Sequence, residues 1–210
     1  MPADLSGARR QAGEPAEITP SLLQEWPLPA PGKDKESRGR LLVLGGTAST
    51  PGAVLLAGEA ALRAGAGKLQ IATAAPVASA LAVAVPEALV APLRTDHAGN
   101  VASSGAGRIA ELAEGADAVL LGPGFSDVDA TVGLLTQVVP RLRCPLVLDA
   151  LASAYVGRHR DGLAHLHGRA ILTVNPAELA QTLGAGQEGV GQEDAEDDPL
   201  DSARRLAGEA

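Results

Sequence analysis

The chain has 210 residues, of which 46% are hydrophobic, and it carries a formal net charge of -8. This length is sufficient for one sizeable core, so we interpret the chain as one folded domain. The acidic charge excludes nucleic acid as an expected partner, because binding to a phosphate backbone requires clustered Lys and Arg. No apolar stretch is long enough and free enough of Pro and charge to predict a membrane span, and the lone Cys144 favours a reducing, cytoplasmic location.

Residues 1–38 are rich in Pro, Gly and charge, and they predict an extended lead-in with one short helix over 18–26. From residue 39 onwards, short apolar runs alternate with longer helical patterns, and Gly or Pro separates them. We predict strands at 41–44, 69–73, 88–91, 118–121, 146–148 and 170–173. We predict helices at 51–63, 77–85, 104–113, 129–142 and 178–183, an acidic loop over 184–199, and a last helix from about residue 201.

This alternation predicts an α/β fold with a doubly wound, mainly parallel sheet and helices on both faces. The only aromatic residues are Trp26, Phe125 and Tyr155, so the core is expected to consist of small aliphatic side chains. In such sheets, ligands bind beyond the carboxyl ends of the strands. The residues that directly follow the predicted strands are therefore the candidates for a functional site.

Two glycine-rich turns follow predicted strands. Gly45-Gly46 precedes a predicted helix, where backbone N–H groups and the positive helix end can hold an anion, although the surrounding residues match neither the Walker pattern nor the dinucleotide fingerprint. Gly122-Pro123-Gly124 would let the backbone approach a ligand closely. A plain tight turn explains either sequence equally well.

Two polar residues also follow predicted strands. Asp149 places a carboxylate at the end of a strand predicted to be central, and Asn175 offers two donors and one acceptor to a polar ligand. Either side chain would serve equally well as the cap of the following helix. The histidines, by contrast, show no spacing typical of a metal site, and we expect them to be loop residues.

Several of these motifs, taken in order, carry a family resemblance. Around the two glycine turns, Asp149 and Asn175, the sequence contains the blocks Pro51-Gly52-Ala53, Ala60-Ala61-Leu62-Arg63-Ala64-Gly65-Ala66-Gly67, Leu148-Asp149-Ala150 and Leu172-Thr173-Val174-Asn175-Pro176-Ala177-Glu178. Together they resemble the ADP-dependent NAD(P)H-hydrate dehydratases over about residues 38–184. The resemblance implies a ribokinase-like fold and a lyase of metabolite repair, which dehydrates the S-form of hydrated NADH or NADPH while ADP, or ATP in its place, is consumed, generally with Mg²⁺.

The resemblance also implies which residues contact the hydrated nicotinamide nucleotide. Ala53, Gly122 or Gly124, and Asn175 would line it, and Asp149 would support the site. Many relatives have His at the position of Asn175 and a second acidic residue at the position of Leu151, so the polar contacts at these two positions differ from the family pattern.

The sequence lacks two motifs of the family, a Lys-Gly strand and a Gly-Thr-Gly-Asp or Gly-Ser-Gly-Asp turn whose Asp faces the transferring phosphate. We therefore expect residues 39–210 to be a partial, C-terminally truncated domain, with the catalytic acid beyond residue 210 and no activity from this chain alone. A kinase of a small alcohol on the same fold and a non-catalytic nucleotide-binding module are the alternatives. The sequence leaves a homo-oligomer open.

Overall fold

The computed structural model of the chain describes residues 18–25, 32–184 and 198–209. Within these ranges, six strands form one sheet in the order β3-β2-β1-β4-β5-β6, and all neighbouring strands are parallel. The strands are β1 (Arg40–Leu44), β2 (Lys68–Ala74), β3 (Ala88–Leu93), β4 (Ala118–Leu121), β5 (Leu146–Asp149) and β6 (Ala170–Thr173). The parallel α/β sheet predicted from the sequence is confirmed.

The helices in the described ranges follow the strands as the alternation predicts. They are α1 (Pro20–Glu25), α2 (Pro51–Arg63), α3 (Ala75–Ala84), α4 (Ala106–Ala113), α5 (Val128–Val138), α6 (Ala154–Arg158), α7 (Pro176–Gly184) and α8 (Pro199–Glu209). The predicted helix 129–142 is shorter than expected, because α5 gives way at Val138 to the 3-10 turn Val139–Arg141. Pro140 lies in that turn and has no N–H group with which to continue the α-helix.

One helical region had no predicted bounds, although the sequence allowed a helix after Asp149. The 3-10 turn Ala150–Ser153 and helix α6 follow β5 directly, and another 3-10 turn, Ala164–Leu166, precedes β6. The sequence prediction treated most of this stretch as an irregular connection. These helical pieces are each five residues or shorter, so they are too short to show a helical period in the sequence.

Parts of two predicted segments lie outside the described residues. These are residues 1–17 and 26–31 of the lead-in and residues 185–197 of the acidic loop. The division of the chain at residue 38 stays a prediction.

The core lies on both faces of the sheet. Leu42 and Leu44 of β1 belong to a large cluster with α4, α5 and α6, whereas Val43 packs on the opposite face with residues of α2 and α3. All three side chains are fully buried. On both faces, the centre of the sheet is therefore covered by apolar side chains.

Strand β6 lies at one end of the sheet and pairs with β5 alone within the described ranges. Its Ile171 side chain is 62% exposed. On the other face, β6, α7 and α8 enclose a cavity of about 320 Å³ lined largely by aliphatic side chains, including Leu172, Leu179 and Leu206. This lining offers few groups that would recognise a nucleotide.

The residues just before β1 are attached to the amino-terminal edge of the sheet by an ion-pair network. The Glu36 carboxylate accepts a hydrogen bond from the Arg40 guanidinium at 2.7 Å and pairs with the Lys68 ammonium of β2. Arg40 first, and then Lys68, holds the pKa of Glu36 at about 2, below its ordinary value of 4.5. Because the folded pKa is lowered, the network stabilises the fold above the unfolded pKa, and its contribution is lost as the pH falls through about 2.

We predict that Arg40→Gln raises the titration midpoint of Glu36 towards its ordinary value, because the variant removes the group that lowers this pKa most. Carbon-detected NMR of the Glu36 carboxyl group measures the midpoint. Arg63→Gln is the matched control, since Arg63 pairs with Glu59 on α2 and should leave the Glu36 titration unchanged. A wild-type midpoint near 4.5 would show that the network does not form.

Candidate functional site

The strand order reverses between β1 and β4, and we call the position between the loops that follow these two strands the β1–β4 crevice. The chain runs outward from β1 to β2 and β3, and then returns to place β4 on the other side of β1. The loops after β1 and β4 therefore diverge to opposite faces of the sheet. Such a switch point is where ligands bind in open α/β sheets.

The register of the sheet brings the predicted site positions to one edge. Leu44 is paired with Leu121, and Leu121 with Leu148, so Gly45, Gly122 and Asp149 directly follow aligned residues. Asp149 is in turn paired with Thr173, two residues before Asn175. We call this the carboxyl edge. The common placement expected from the sequence is confirmed, whereas contact with a ligand stays a prediction.

The loops after β1 and β4 are hydrogen-bonded to each other at the base of the crevice. The N–H of Gly46 donates to the carbonyl of Pro123 at 2.7 Å, and the N–H of Gly122 donates to the carbonyl of Leu44 at 2.9 Å. The hydroxyl of Thr50 donates to the carbonyl of Gly124 at 2.5 Å. These bonds set the distance between the loops after β1 and β4, which we call the two walls of the crevice.

The glycines of the second turn are required by this packing. Gly122 has a φ of +118°, and a Cβ built on it would overlap the carbonyl oxygen of Asp149. Gly124 has a φ of +75°, and a Cβ there would lie 2.6 Å from the carbonyl oxygen of Thr50. Both glycines are therefore explained by close approach within the chain, without a ligand.

Ala53 lies in the first turn of α2 and is half-buried at the mouth of the crevice. Its Cβ is 3.0 Å from the position that a Cβ on Gly124 would occupy. Thr50, at the N-cap position, makes no capping bond to α2, because its hydroxyl is directed to Gly124. The first amides of α2 thus lack a side-chain acceptor, an arrangement that favours a negatively charged group nearby.

Asp149 does not act as a helix cap. It precedes the 3-10 turn Ala150–Ser153 without capping it, and its Oδ1 instead accepts a hydrogen bond from the Thr173 hydroxyl at 2.7 Å. The next residue, Ala150, has a φ of +49°, a left-handed conformation that is strained for alanine. The half-buried carboxylate is therefore held by β6, and its second oxygen makes no hydrogen bond within the described ranges.

Asn175 forms a reciprocal cap with Glu178. Its Oδ1 accepts a hydrogen bond from the Glu178 N–H at 2.9 Å, and the Glu178 carboxylate accepts one from the Asn175 N–H at 3.0 Å. This pair of bonds is a capping box. Helix capping was one of the two roles that the sequence allowed for Asn175, and the other, contact with a ligand, stays a prediction. Asn175 is exposed, and within the described ranges its Nδ2 group makes no hydrogen bond, so two donors remain for a ligand.

Two residues at this edge were missed by the sequence analysis. Thr173 fixes Asp149, and its place at the end of a predicted strand would have been a sufficient signal. Thr73, at the end of β2, is fully buried with a hydroxyl that has no hydrogen-bond partner among the described residues. It lies beside Gly46, and a Cβ on that glycine would be 2.7 Å from its oxygen.

A small cavity of about 150 Å³ is lined in part by Ala150, Arg158 and Glu178. It is smaller than the pockets that hold whole drug-sized ligands, so it would accommodate only part of a dinucleotide. Among the described residues, no three His, Cys, Asp or Glu side chains are grouped closely enough to hold a metal ion. In the same ranges, no helix is long and apolar enough to cross a membrane.

Comparison with known proteins places this architecture in a family. The sequence profile of the NAD(P)H-hydrate dehydratase family matches residues 41–210. The chain belongs to the NAD(P)H-hydrate dehydratase family. The resemblance drawn from the motifs is thereby confirmed.

Among curated relatives, the ADP-dependent (S)-NAD(P)H-hydrate dehydratase of Xanthomonas campestris is 44% identical over 176 residues, which cover 78% of this chain and 61% of that protein. The bifunctional NAD(P)H-hydrate repair enzyme of Escherichia coli is 34% identical over 185 residues, which cover 88% of this chain and 32% of that protein. The chain thus spans less than two thirds of the length of these relatives, 61% of the first and 32% of the second.

Solved structures share the fold. A ribokinase-like superfamily protein from Enterococcus faecalis superposes with a TM-score of 0.67 at 22% identity, over 86% of this chain and 58% of that one. The ADP/ATP-dependent NAD(P)H-hydrate dehydratase of Bacillus subtilis, co-crystallized with ATP and Mg²⁺, gives a TM-score of 0.55 at 28% identity, over 75% of this chain and 52% of that one. The predicted ribokinase-like fold is confirmed.

We predict that Gly122→Ala lowers the free energy of unfolding by at least about 2 kcal/mol, because alanine is strained at this φ and its Cβ would overlap the Asp149 carbonyl. Urea denaturation measures the change. Gly107→Ala on α4 is the control, since a Cβ there meets no atom within 4 Å and should leave stability unchanged or slightly higher. Equal stability of the two variants would contradict the proposed contact between the β4 and β5 ends.

Proposed function

We propose that this chain binds the S-form of hydrated NADH or NADPH in the β1–β4 crevice, as a member of the ADP-dependent (S)-NAD(P)H-hydrate dehydratases. The observation that carries the proposal is the 44% identity with the Xanthomonas campestris protein of that name over 78% of the chain. The fold supports it with the reversal of strand order between β1 and β4 and with the hydrogen bonds that join the two following loops. The reaction is a dehydration of the hydrated nicotinamide ring that consumes ADP and gives AMP and phosphate.

The polar groups at the carboxyl edge suit a hydrated nicotinamide ring, which carries a carboxamide and a hydroxyl. The free oxygen of Asp149 accepts hydrogen bonds, and the Nδ2 group of Asn175 donates them. Both side chains have their other polar atom fixed, by Thr173 and by the N–H of Glu178 respectively. A ligand would therefore meet groups that lose little conformational freedom on binding.

The cofactors we propose are ADP, or ATP in its place, with Mg²⁺. The Bacillus subtilis relative, co-crystallized with ATP and Mg²⁺, supports this choice. The described residues do not fit a magnesium site by themselves, since they include no group of three or more acidic or histidine side chains that could hold a metal. Asp149 and Glu178 are instead bound to Thr173 and Asn175.

Names of the curated relatives favour the dehydratase over the kinase of a small alcohol. We also propose a cytoplasmic location, where NADH and NADPH are abundant and a single cysteine would remain reduced.

The first functional prediction concerns binding. We expect Ala53→Trp to weaken the affinity for hydrated NADH at least about tenfold, because an indole at the mouth of the crevice would occupy the space of the ligand. Isothermal titration calorimetry measures the affinity, and thermal melting checks the fold. Leu56→Trp is the matched control, since Leu56 lies on the same helix, is 68% exposed, and should leave affinity unchanged.

Equal affinity of the Ala53 variant and the wild type would place the ligand elsewhere. A melting temperature that falls by many degrees in Ala53→Trp alone would assign Ala53 to packing against Gly124 rather than to ligand contact.

The second functional prediction concerns turnover. We expect residues 1–210 to bind the hydrated dinucleotide without measurable dehydration, because the sequence has no Gly-Thr-Gly-Asp or Gly-Ser-Gly-Asp turn to face the transferring phosphate. Removing a single such electrostatic contact typically costs about 10² to 10³ in rate. The assay follows the recovery of NADH absorbance from its S-hydrate with ADP and Mg²⁺, beside the Xanthomonas campestris relative as a positive control. Turnover comparable to that relative would show that these residues hold a complete active site.

A further inference from the structure

The loop after β3 reaches across the carboxyl edge to both walls of the crevice. β3 is the outer strand, and β2 and β1 lie between it and β4. The 94–102 loop nevertheless contacts the loop after β1, where the Ala48 N–H donates to the Gly99 carbonyl at 3.1 Å. It also contacts the segment after β4, where the Ser126 hydroxyl donates to Asn100 Oδ1 at 3.1 Å. Three strand spacings of about 4.8 Å separate β3 from β4, so the loop spans about 14 Å.

Asp96 gives this loop a fixed shape. Its Oδ1 accepts hydrogen bonds from the N–H groups of Ala98 and Asn100, both at 2.9 Å, and its Oδ2 accepts one from Asn100 Nδ2 at 3.0 Å. The Asn100 side chain first, and then backbone N–H groups, holds the pKa of Asp96 below its ordinary value. Asp96 therefore remains a carboxylate, and a good acceptor, at neutral pH.

Asn100 connects this loop to the crevice. The residue is only 7% exposed, and both ends of its amide are paired, Nδ2 with Asp96 and Oδ1 with Ser126. Its neighbour Gly99 has a φ of +85°, and a Cβ there would lie 2.8 Å from the Cβ of Ala48. Because both ends of this buried amide are hydrogen-bonded, the side chain has one orientation. A displacement of the 94–102 loop would therefore also displace the segment after β4.

We propose that Asn100 is a positioning residue that clamps the two walls of the crevice at their rim. The walls are joined directly at the base by the bond between Gly46 and Pro123, and the 94–102 loop joins them a second time at Ala48 and Ser126. Asn100 thereby sets the affinity of the crevice without touching the ligand. The identity of that ligand, hydrated NADH, rests on the proposed function, whereas the clamp does not.

The test breaks only the contact with the segment after β4. Ser126→Ala removes the hydroxyl that donates to Asn100, and because Ser126 is exposed, the loss of stability should be small. Ser126→Thr keeps a hydroxyl and should restore wild-type behaviour. Ser104→Ala, at another exposed serine, is the matched control.

Two measurements are made on the whole chain: NMR exchange of the Ala48 amide without ligand, and calorimetric affinity for hydrated NADH. We expect Ser126→Ala to speed the exchange and to weaken the affinity, each by about 2- to 10-fold, as for loss of one hydrogen bond, at an unchanged melting temperature. Unchanged Ala48 exchange would overturn the clamp whatever the ligand. If the wild type binds hydrated NADH, and Ser126→Ala speeds the exchange without changing that affinity, the positioning role is overturned. A wild type that binds no hydrated NADH would defeat the proposed function, and the exchange would still decide the clamp.

Discussion

The hydrogen bond from the Gly46 N–H to the Pro123 carbonyl is the contact on which the candidate site depends. It joins two loops that leave the sheet towards opposite faces, at the one place where the strand order reverses. Two further bonds join the same loops, from the Gly122 N–H to the Leu44 carbonyl and from the Thr50 hydroxyl to the Gly124 carbonyl. The distance between the two loops is therefore set largely by backbone geometry, which is less sensitive to side-chain substitution than a contact between side chains.

This constraint separates two kinds of residue at the carboxyl edge. Gly122 and Gly124 are required by the packing of the chain on itself, because their left-handed backbone and the nearby carbonyl groups leave no room for a Cβ. Asp149 and Asn175 are not required in that way, since their side chains are anchored at one atom and free at another. In the proposed function, the polar pair would therefore contact the ligand, and the glycines provide the frame that holds the loops.

The sequence predicted the elements with strong local signals and missed those that depend on distant contacts. Pro51 at the start and Gly65 beyond the end bracket α2, and its predicted limits match the structure. Helix α6 was missed because five residues cannot display a period. At the site, strand-end positions identified the carboxyl edge, yet the capping role of Asn175 could not be separated from ligand contact by sequence alone. The link from Asn100 to the segment after β4 gave no signal, because its partner Ser126 is 26 residues away and in an unrelated segment.

The pairing of β1 with β4 has a consequence for how the molecule is made. The first contact of that pair, between Arg40 and Asp117, closes a separation of 77 residues. During synthesis, β1 can pair early with β2, but its other side stays open until β4 has left the ribosome and returned to it. Contacts of such long separation form slowly, and the apolar strand β1 remains half unpaired in the meantime. The β1–β4 pair therefore forms only after β4 has been synthesised, and a nascent chain that stalls before β4 would present an unpaired, apolar strand edge to chaperones and to its neighbours.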